Sequence, residues 1–277
     1  MLQLARAFLE RKQVEESRLE AELLVAHALG LDRLGLFMQL DRPIQGVEVD
    51  RARDLLVRRG KREPVAYIVG RREFYCRDFE VAPGVLIPRP ETELLIDLSR
   101  ERCAALTSDA PRIADLGTGS GCIAVTLALE IEGAEVHAAD LAPSAVQQAR
   151  QNAERLGARV EVHLGDGFEA LAPFAPFDLL VSNPPYVALE TRASLEPEVR
   201  DFEPELALFA PDGDPDHWVR RLIEALPQFV APGGSLLVEL GADQGPRALA
   251  LAERAGLEAE LHEDLARIPR VLAVRNV

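Results

Sequence analysis

The first seventy positions of the chain alternate apolar and polar residues at helical period. Leu2, Leu4, Ala5, Phe8 and Leu9 share one face, and Leu19, Leu23, Leu24, Ala26 and Leu29 form a second stripe that Gly30 stops. Ser17, with Glu20 three residues on, has the spacing of a capping box. Shorter helices are predicted over 33–38, 47–59 and 64–69, the last two closed by Gly60 and Gly70. Residues 1–72 therefore read as a small helical bundle. Over 73–88 the period changes. Phe74, Val81, Val85, Leu86 and Ile87, with a Pro83-Gly84 turn, predict a β-hairpin that connects the bundle to the larger C-terminal part of the chain.

Residues 89–277 have another rhythm. A helix opens after Pro90, and from Arg112 short aliphatic runs alternate with helical stretches. Strands are predicted at 112–117, 135–140, 160–165, 177–183, 234–241, 257–265 and 270–277, and helices at 120–130, 143–156, 217–230 and 246–255. Strand–helix alternation implies a mostly parallel sheet covered on both faces. The last two strands follow each other with no helix between, which implies one reversed strand in a sheet of seven.

Composition narrows the function. The chain has 277 residues, 48% hydrophobic and only 5% aromatic, so aliphatic side chains must fill the cores. No run approaches the roughly 18 apolar residues of a membrane helix, and MLQLARAFLERK lacks the apolar centre of an export signal. Cys76, Cys103 and Cys122 are widely spaced with no CxxC pair, which fits reduced thiols in the cytoplasm and argues against zinc. The five histidines are scattered, none at metal spacing with cysteine, and Trp218 reads as packing. No metal is expected. The net charge is −15, divided unevenly: residues 1–72 carry 14 Lys/Arg and 11 Asp/Glu, the remainder 17 and 35. An acidic catalytic part disfavours direct binding to nucleic acid.

Candidate chemistry clusters at the predicted carboxyl ends of the strands. In IADLGTGSGCIAV, Gly117, Gly119 and Gly121 link a strand to a helix, where bare backbone can approach a ligand. The spacing is neither that of dinucleotide folds nor that of a P-loop. The next strand ends at Asp140, placed to accept hydrogen bonds from ribose hydroxyls. The third ends in GDGF, where Phe168 can pack on a purine and Asp166 can accept from its exocyclic amine. D-x-G-x-G-x-G followed by that acid resembles the class I S-adenosylmethionine-dependent methyltransferases.

The fourth strand delivers Asn183-Pro184-Pro185-Tyr186 to the same edge. This quartet resembles the motif of methyltransferases that act on planar nitrogen. An amide or amino nitrogen is a poor nucleophile because its lone pair is delocalised. The Asn183 side-chain oxygen and the Pro184 carbonyl can accept its two N–H bonds, hold its lone-pair face toward a methyl donor, and stabilise the positive charge that grows there. The prolines stiffen that carbonyl, and Tyr186 offers a flat wall.

With the helical domain, the hairpin, LIPRPETE at 86–93 and SNPPYV at 182–187, the chain resembles the HemK/PrmC family over essentially its whole length. The resemblance implies a Rossmann-like class I α/β methyltransferase fold. It also implies methyl transfer from S-adenosyl-L-methionine, leaving S-adenosylhomocysteine, to the side-chain amide (N5) of the glutamine in the Gly-Gly-Gln loop of class 1 peptide chain release factors. Carried over by position, Gly117, Thr118, Gly119, Ser120 and Gly121 hold the methionine end of the cofactor and Asp140 the ribose, while Phe168 lies by the adenine. Asn183 and Pro184 grip the amide, Pro185 and Tyr186 shape its slot, and Arg89 and Glu91 line its mouth. Residues 1–72 would bind the release factor, and the enzyme is expected to act as a monomer. The basic series Arg51, Arg53, Arg58, Arg59, Lys61, Arg62, Arg71 and Arg72 suits either an acidic face of that partner or a solvated helix face. Methylation of a nucleic-acid base, and a non-catalytic binding protein that kept a cofactor pocket, are the competing readings.

Overall fold

The computed structural model describes residues 1–276. The chain divides into two compact units, Met1–Arg71 with Leu195–Phe202, and Arg72–Ser194 with Glu203–Val277. Among the described residues no helix is long and apolar enough to cross a membrane.

The helical unit comprises α1 (Leu2–Arg11), α2 (Ser17–Ala28), α3 (Arg33–Met38), α4 (Gly46–Gly60) and α5 (Val65–Val69). The predicted stripes meet in its core, with Ala5, Leu9, Ala21, Leu24, Val25, Leu36 and Ile68 buried together. Gly30 and Gly70 end α2 and α5 at positive φ, +69° and +80°. The capping box is not where the spacing put it. Ser17 is already helical and buried, whereas Gln45 and Glu48 cap α4, the Gln45 amide donating to Glu48 Oε2 at 2.8 Å.

Four of the basic series, Arg53, Arg58, Arg59 and Arg62, are paired within the unit. Arg59 is 4% exposed and donates to Glu20 Oε2 at 2.6 Å and to Glu198 Oε1 at 2.5 Å. Arg62 donates to the other oxygen of Glu198 at 2.7 Å, and Arg58 to Glu63 at 2.5 Å. Burial opposes the charge on Glu198, but the hydrogen bonds from Arg59, Arg62 and the backbone, with the Arg59 charge, together outweigh it and hold the carboxyl below its ordinary range. These ion pairs tie Leu195–Phe202 into the unit. Breaking a buried pair from one side leaves the partner charges stranded. Arg59→Ala should therefore destabilise the helical unit by about 3 kcal/mol, read as earlier hydrogen exchange in α2, α4 and residues 197–202 with the rest of the chain unchanged.

The hairpin is β1 (Arg71–Phe74) and β2 (Arg77–Glu80). Its turn is Tyr75-Cys76, both at positive φ, 48° and 58°, not Pro83-Gly84. Two-residue hairpin turns favour Gly and Asn at such positions, so this pair carries no turn signal in the sequence. Phe74 and Phe79, buried edge to face 6.0 Å apart, fix which side of the hairpin turns inward.

The remaining elements are α6 (Glu93–Ala104), β3 (Arg112–Leu116), α7 (Cys122–Glu130), β4 (Glu135–Asp140), α8 (Pro143–Leu156), β5 (Val160–Leu164), α9 (Gly167–Leu171) and β6 (Phe177–Ser182). They are followed by α10 (Pro197–Phe202), α11 (Glu205–Leu208), α12 (His217–Phe229), β7 (Val230–Glu239), α13 (Gly245–Arg254), β8 (Glu258–Glu263) and β9 (Pro269–Arg275). Seven strands form one sheet in the order β5-β4-β3-β6-β7-β9-β8, parallel except for β9, which is antiparallel to both neighbours. The mostly parallel sheet with one reversed strand is the one the sequence predicts; Val277, the last residue of the final predicted strand, lies outside the described residues. α9, α10 and α11 are short, polar-rimmed helices that the apolar pattern does not mark.

Alternation along β3 shows why the sheet is covered twice. Ile113 packs on one face with Leu95, Ile96, Ile123 and Val125, and Ala114 and Leu116 on the other with Leu171, Leu222 and Leu226. Leu116 is in register with Ala139 and Ser182, and Asp140 with Leu164. The chain therefore leaves β3, β4, β5 and β6 along one edge. The sequence runs outward from β3 to β5 and then returns to β6 on the other side, which opens a crevice at that reversal.

Candidate active site

A cavity of about 340 Å³ occupies the crevice, within the range of small-molecule sites. Its floor is the loop after β3. Gly117 and Gly119 sit at φ +80° and +56°, and a Cβ on either would meet no atom within 4 Å. Their backbone is thus bare toward the cavity, which Gly117, Thr118, Gly119 and Ser120 all line. Gly121 has a different reason. It is at φ +81°, and a Cβ there would lie 3.0 Å from the Ala149 backbone, so it lets α7 pass close to α8. Gly121 braces the loop from behind rather than facing the cavity.

Two carboxylates shape that loop. Asp140 Oδ2 accepts from the Gly119 amide and Oδ1 from the Ala142 amide, both at 2.9 Å. Its burial raises its pKa against those amides, and it lines the cavity as expected. Asp115 is fully buried and accepts from Thr118 Oγ1 at 2.7 Å and from the Ala124 amide at 3.2 Å. Burial pushes its carboxyl up to about 7.

The far wall is built from the start of α9 and from α12. Asp166 lines the cavity and caps α9 through the Phe168 amide. Phe168 itself does not line the cavity; its ring packs edge-on against Phe229, centroids 5.2 Å apart, behind Trp218 and Arg221, which do. Trp218, which the sequence marks as packing, stands on the wall instead. The Arg221 guanidinium covers its ring at 4.9 Å, and Trp218 Nε1 is buried with no hydrogen-bond partner.

Asn183, Pro184 and Pro185 line the cavity beside the glycine loop. Tyr186 does not; it packs against Gly241, where a Cβ would lie 3.1 Å from its ring. Burial raises its phenol pKa, so it remains a neutral hydroxyl. The Asn183 Nδ2 donates to Thr92 Oγ1 at 3.2 Å. Both lie beside Glu239 at the end of β7, whose carboxyl burial pushes up to about 7 and whose Oε2 has no partner. Arg89 is on the wall, paired with the buried Glu203, which also accepts from the Ile87 amide. Glu91 is not part of the wall. Thr92 and Glu239 carried no signal of their own: Thr92 hides inside the LIPRPETE run, and Glu239 reads as one polar residue at a strand end.

Away from the cavity, neighbouring strands bring His137 and His163 together. Their Nδ1 and Nε2 lie 3.2 Å apart, and His137 Nε2 is 2.9 Å from Glu135. Both nitrogens of His137 thus have hydrogen-bond partners.

The arrangement can seat a nucleoside with a charged tail on the glycine loop and can present acceptors to a planar N–H₂ group beside it. The family model for the PrmC N-terminal domain matches residues 1–70, and that for the methyltransferase small domain matches residues 92–196. A Geobacter sulfurreducens protein named release factor glutamine methyltransferase is 43% identical over 92% of this chain and 88% of its own. A Chlorobaculum tepidum protein of the same name is 41% identical over 96% of this chain and 93% of its own. Solved structures share the fold at low identity. The T. thermophilus 16S rRNA N2 methyltransferase RsmC, bound to AdoMet and guanosine, has a TM-score of 0.53 at 20% identity, over 75% of this chain and 50% of that one. The N-terminal domain of human METTL16, bound to SAH, has 0.51 at 18%, over 72% and 75%. The sheet is thus that of a class I methyltransferase, and the chain belongs to the family of release factor glutamine methyltransferases.

Proposed function

We propose that this enzyme transfers a methyl group from S-adenosylmethionine to the N5 amide nitrogen of the glutamine in the Gly-Gly-Gln loop of class 1 release factors. The observation that carries this reading is the single cavity that holds the bare glycine loop at one end and Asn183-Pro184 at the other. The residues suit the cofactor. Asp140 offers acceptors for ribose hydroxyls, Asp166 for an exocyclic amine, and the Gly117 and Gly119 backbone approaches without side chains in the way. Trp218 offers an apolar face on the wall beside Asp166.

When bound, S-adenosylmethionine supplies a methyl group on a positively charged sulfur. The chain's own residues orient the acceptor. Asn183 Oδ1 and the Pro184 carbonyl accept the two N–H bonds of the carboxamide, which turns its face toward the glycine loop and favours the charge that develops on nitrogen. No side chain needs to act as nucleophile. The acidity of residues 73–277 suits a neutral glutamine presented by a basic protein, and residues 1–72 are assigned to docking that partner, 73–88 to the connector and 89–277 to catalysis. KM for the release factor should rise with ionic strength as steering is screened.

The test is mass spectrometry of a class 1 release factor incubated with the enzyme and S-adenosylmethionine. One added methyl on the loop glutamine is expected, and none when that glutamine is alanine. Methylation of DNA or RNA in a parallel reaction, with none on the release factor, would overturn the reading.

A further inference from the structure

The histidines are scattered along the chain, and no spacing among them marks a metal site. Sheet register gathers two of them. His137 on β4 stands opposite Glu161 on β5, and alternate residues of a strand share a face, so His163 projects beside both. One ligand atom from each of the three lies within 4.8 Å of the others. His137 Nδ1 is 3.2 Å from His163 Nε2 and 3.8 Å from Glu161 Oε2.

These separations suit zinc. Two imidazole nitrogens at tetrahedral positions on one zinc ion stand about 3.3 Å apart. The pair here is already at that spacing. The Glu161 side chain is 68% exposed, so its carboxylate can close the remaining gap without disturbing the core. The tautomer of His137 is also set. Its Nε2 lies 2.9 Å from Glu135 Oε1, so the ring proton sits there and Nδ1 presents a lone pair. An ion would take the place of the hydrogen that His163 now shares with Nδ1, and His163 would carry its one N–H on Nδ1 instead. Phe174 stacks on both rings, centroids 4.4 and 4.6 Å away, which covers one side of the cluster and limits the number of further ligands.

Net charge does not decide the matter. The carboxylates of Glu135 and Glu161 favour a cation, while Arg112, 3.4 Å from Glu135, and Arg150 oppose it. The donor set does decide: two imidazoles and one carboxylate select zinc over magnesium or calcium. We propose that His137, Glu161 and His163 form a zinc site that staples the edge strand β5 to β4. Both strands run on from the cluster to the cavity, one to Asp140 and the other to Asp166. The site is independent of the methyl-transfer reading.

The test uses the full chain, stripped with a chelator and titrated calorimetrically with zinc chloride alone. One ion per chain is expected, with a micromolar or tighter Kd. Glu135→Ala, which touches no metal, should weaken binding by about 10- to 100-fold, and Glu161→Ala and His163→Ala should weaken it at least as much. Zinc should also slow amide exchange in β4 and β5 of the wild type and leave Glu161→Ala unaffected, because an ion bound only by the folded sheet holds it closed. Glu161 is exposed, so this variant keeps the fold and decides the question even if His163→Ala does not. No binding by the wild type, or equal binding by Glu161→Ala, would overturn the site. Magnesium chloride that displaces the zinc would overturn the choice of metal.

Discussion

Asn183→Ala should lower single-turnover methyl transfer to the release factor by roughly 10²–10³-fold, the loss typical of removing one preorganised group from a reacting centre. Kd for S-adenosylmethionine should change by no more than a few-fold. The separation follows from where the side chain stands. Asn183 lines the cavity and its Nδ2 donates to Thr92 Oγ1, which leaves Oδ1 for the carboxamide rather than for the donor. With alanine, the Pro184 carbonyl alone remains, and one N–H of the substrate is free to rotate the nitrogen out of line. Asn183→Asp should do no better. A carboxylate there would face Glu239, and two like charges in a buried site share a proton instead of both ionising. Isothermal titration with S-adenosylhomocysteine beside a rapid-quench assay separates the two effects. Transfer within threefold of wild type in Asn183→Ala would remove this residue from the reaction.

Asp140→Ala should give the opposite pattern: Kd for S-adenosylmethionine weaker by about 100-fold, with most of kcat recovered at saturating donor. Two charge-assisted hydrogen bonds to ribose hydroxyls are worth roughly that much. Part of the loss comes through the loop, because Asp140 Oδ2 also holds the Gly119 amide at 2.9 Å. Asp140→Asn keeps one acceptor for that amide and should fall between. Equilibrium binding of donor and product measures both variants. A Kd unchanged in Asp140→Ala would show that the ribose is held elsewhere.

The sheet was legible because each strand carries its own apolar signal. Central strands such as RIADL and FDLLVS are buried on both faces and so read as continuous aliphatic runs. The edge of the site was legible for a related reason: the residues that come after a parallel strand are confined to one end of the sheet, so Asp140, Asp166 and Asn183 had to gather. Three things were not. The hairpin turn at Tyr75-Cys76 uses residues that rarely adopt positive φ, so only its surroundings reveal it. The Phe168 ring is turned by a five-residue helix too short to leave a periodic pattern, while Trp218 arrives on the wall from α12, about fifty residues further along. Thr92 and Glu239 meet Asn183 only in three dimensions, because the three come from separate stretches of the chain. Of the basic series, Arg59 and Arg62 are held by acids 134 to 139 positions away.

Those long-range pairs bear on how the protein can be divided. A recombinant fragment that stops at the bundle's last helix would omit Glu196 and Glu198, leaving the Arg59 guanidinium with Glu20 as its one carboxylate partner. Anyone grafting the bundle of one relative onto another would have to transplant two stretches of polypeptide, and the second of them is carried between the Asn-Pro-Pro-Tyr motif and Glu203.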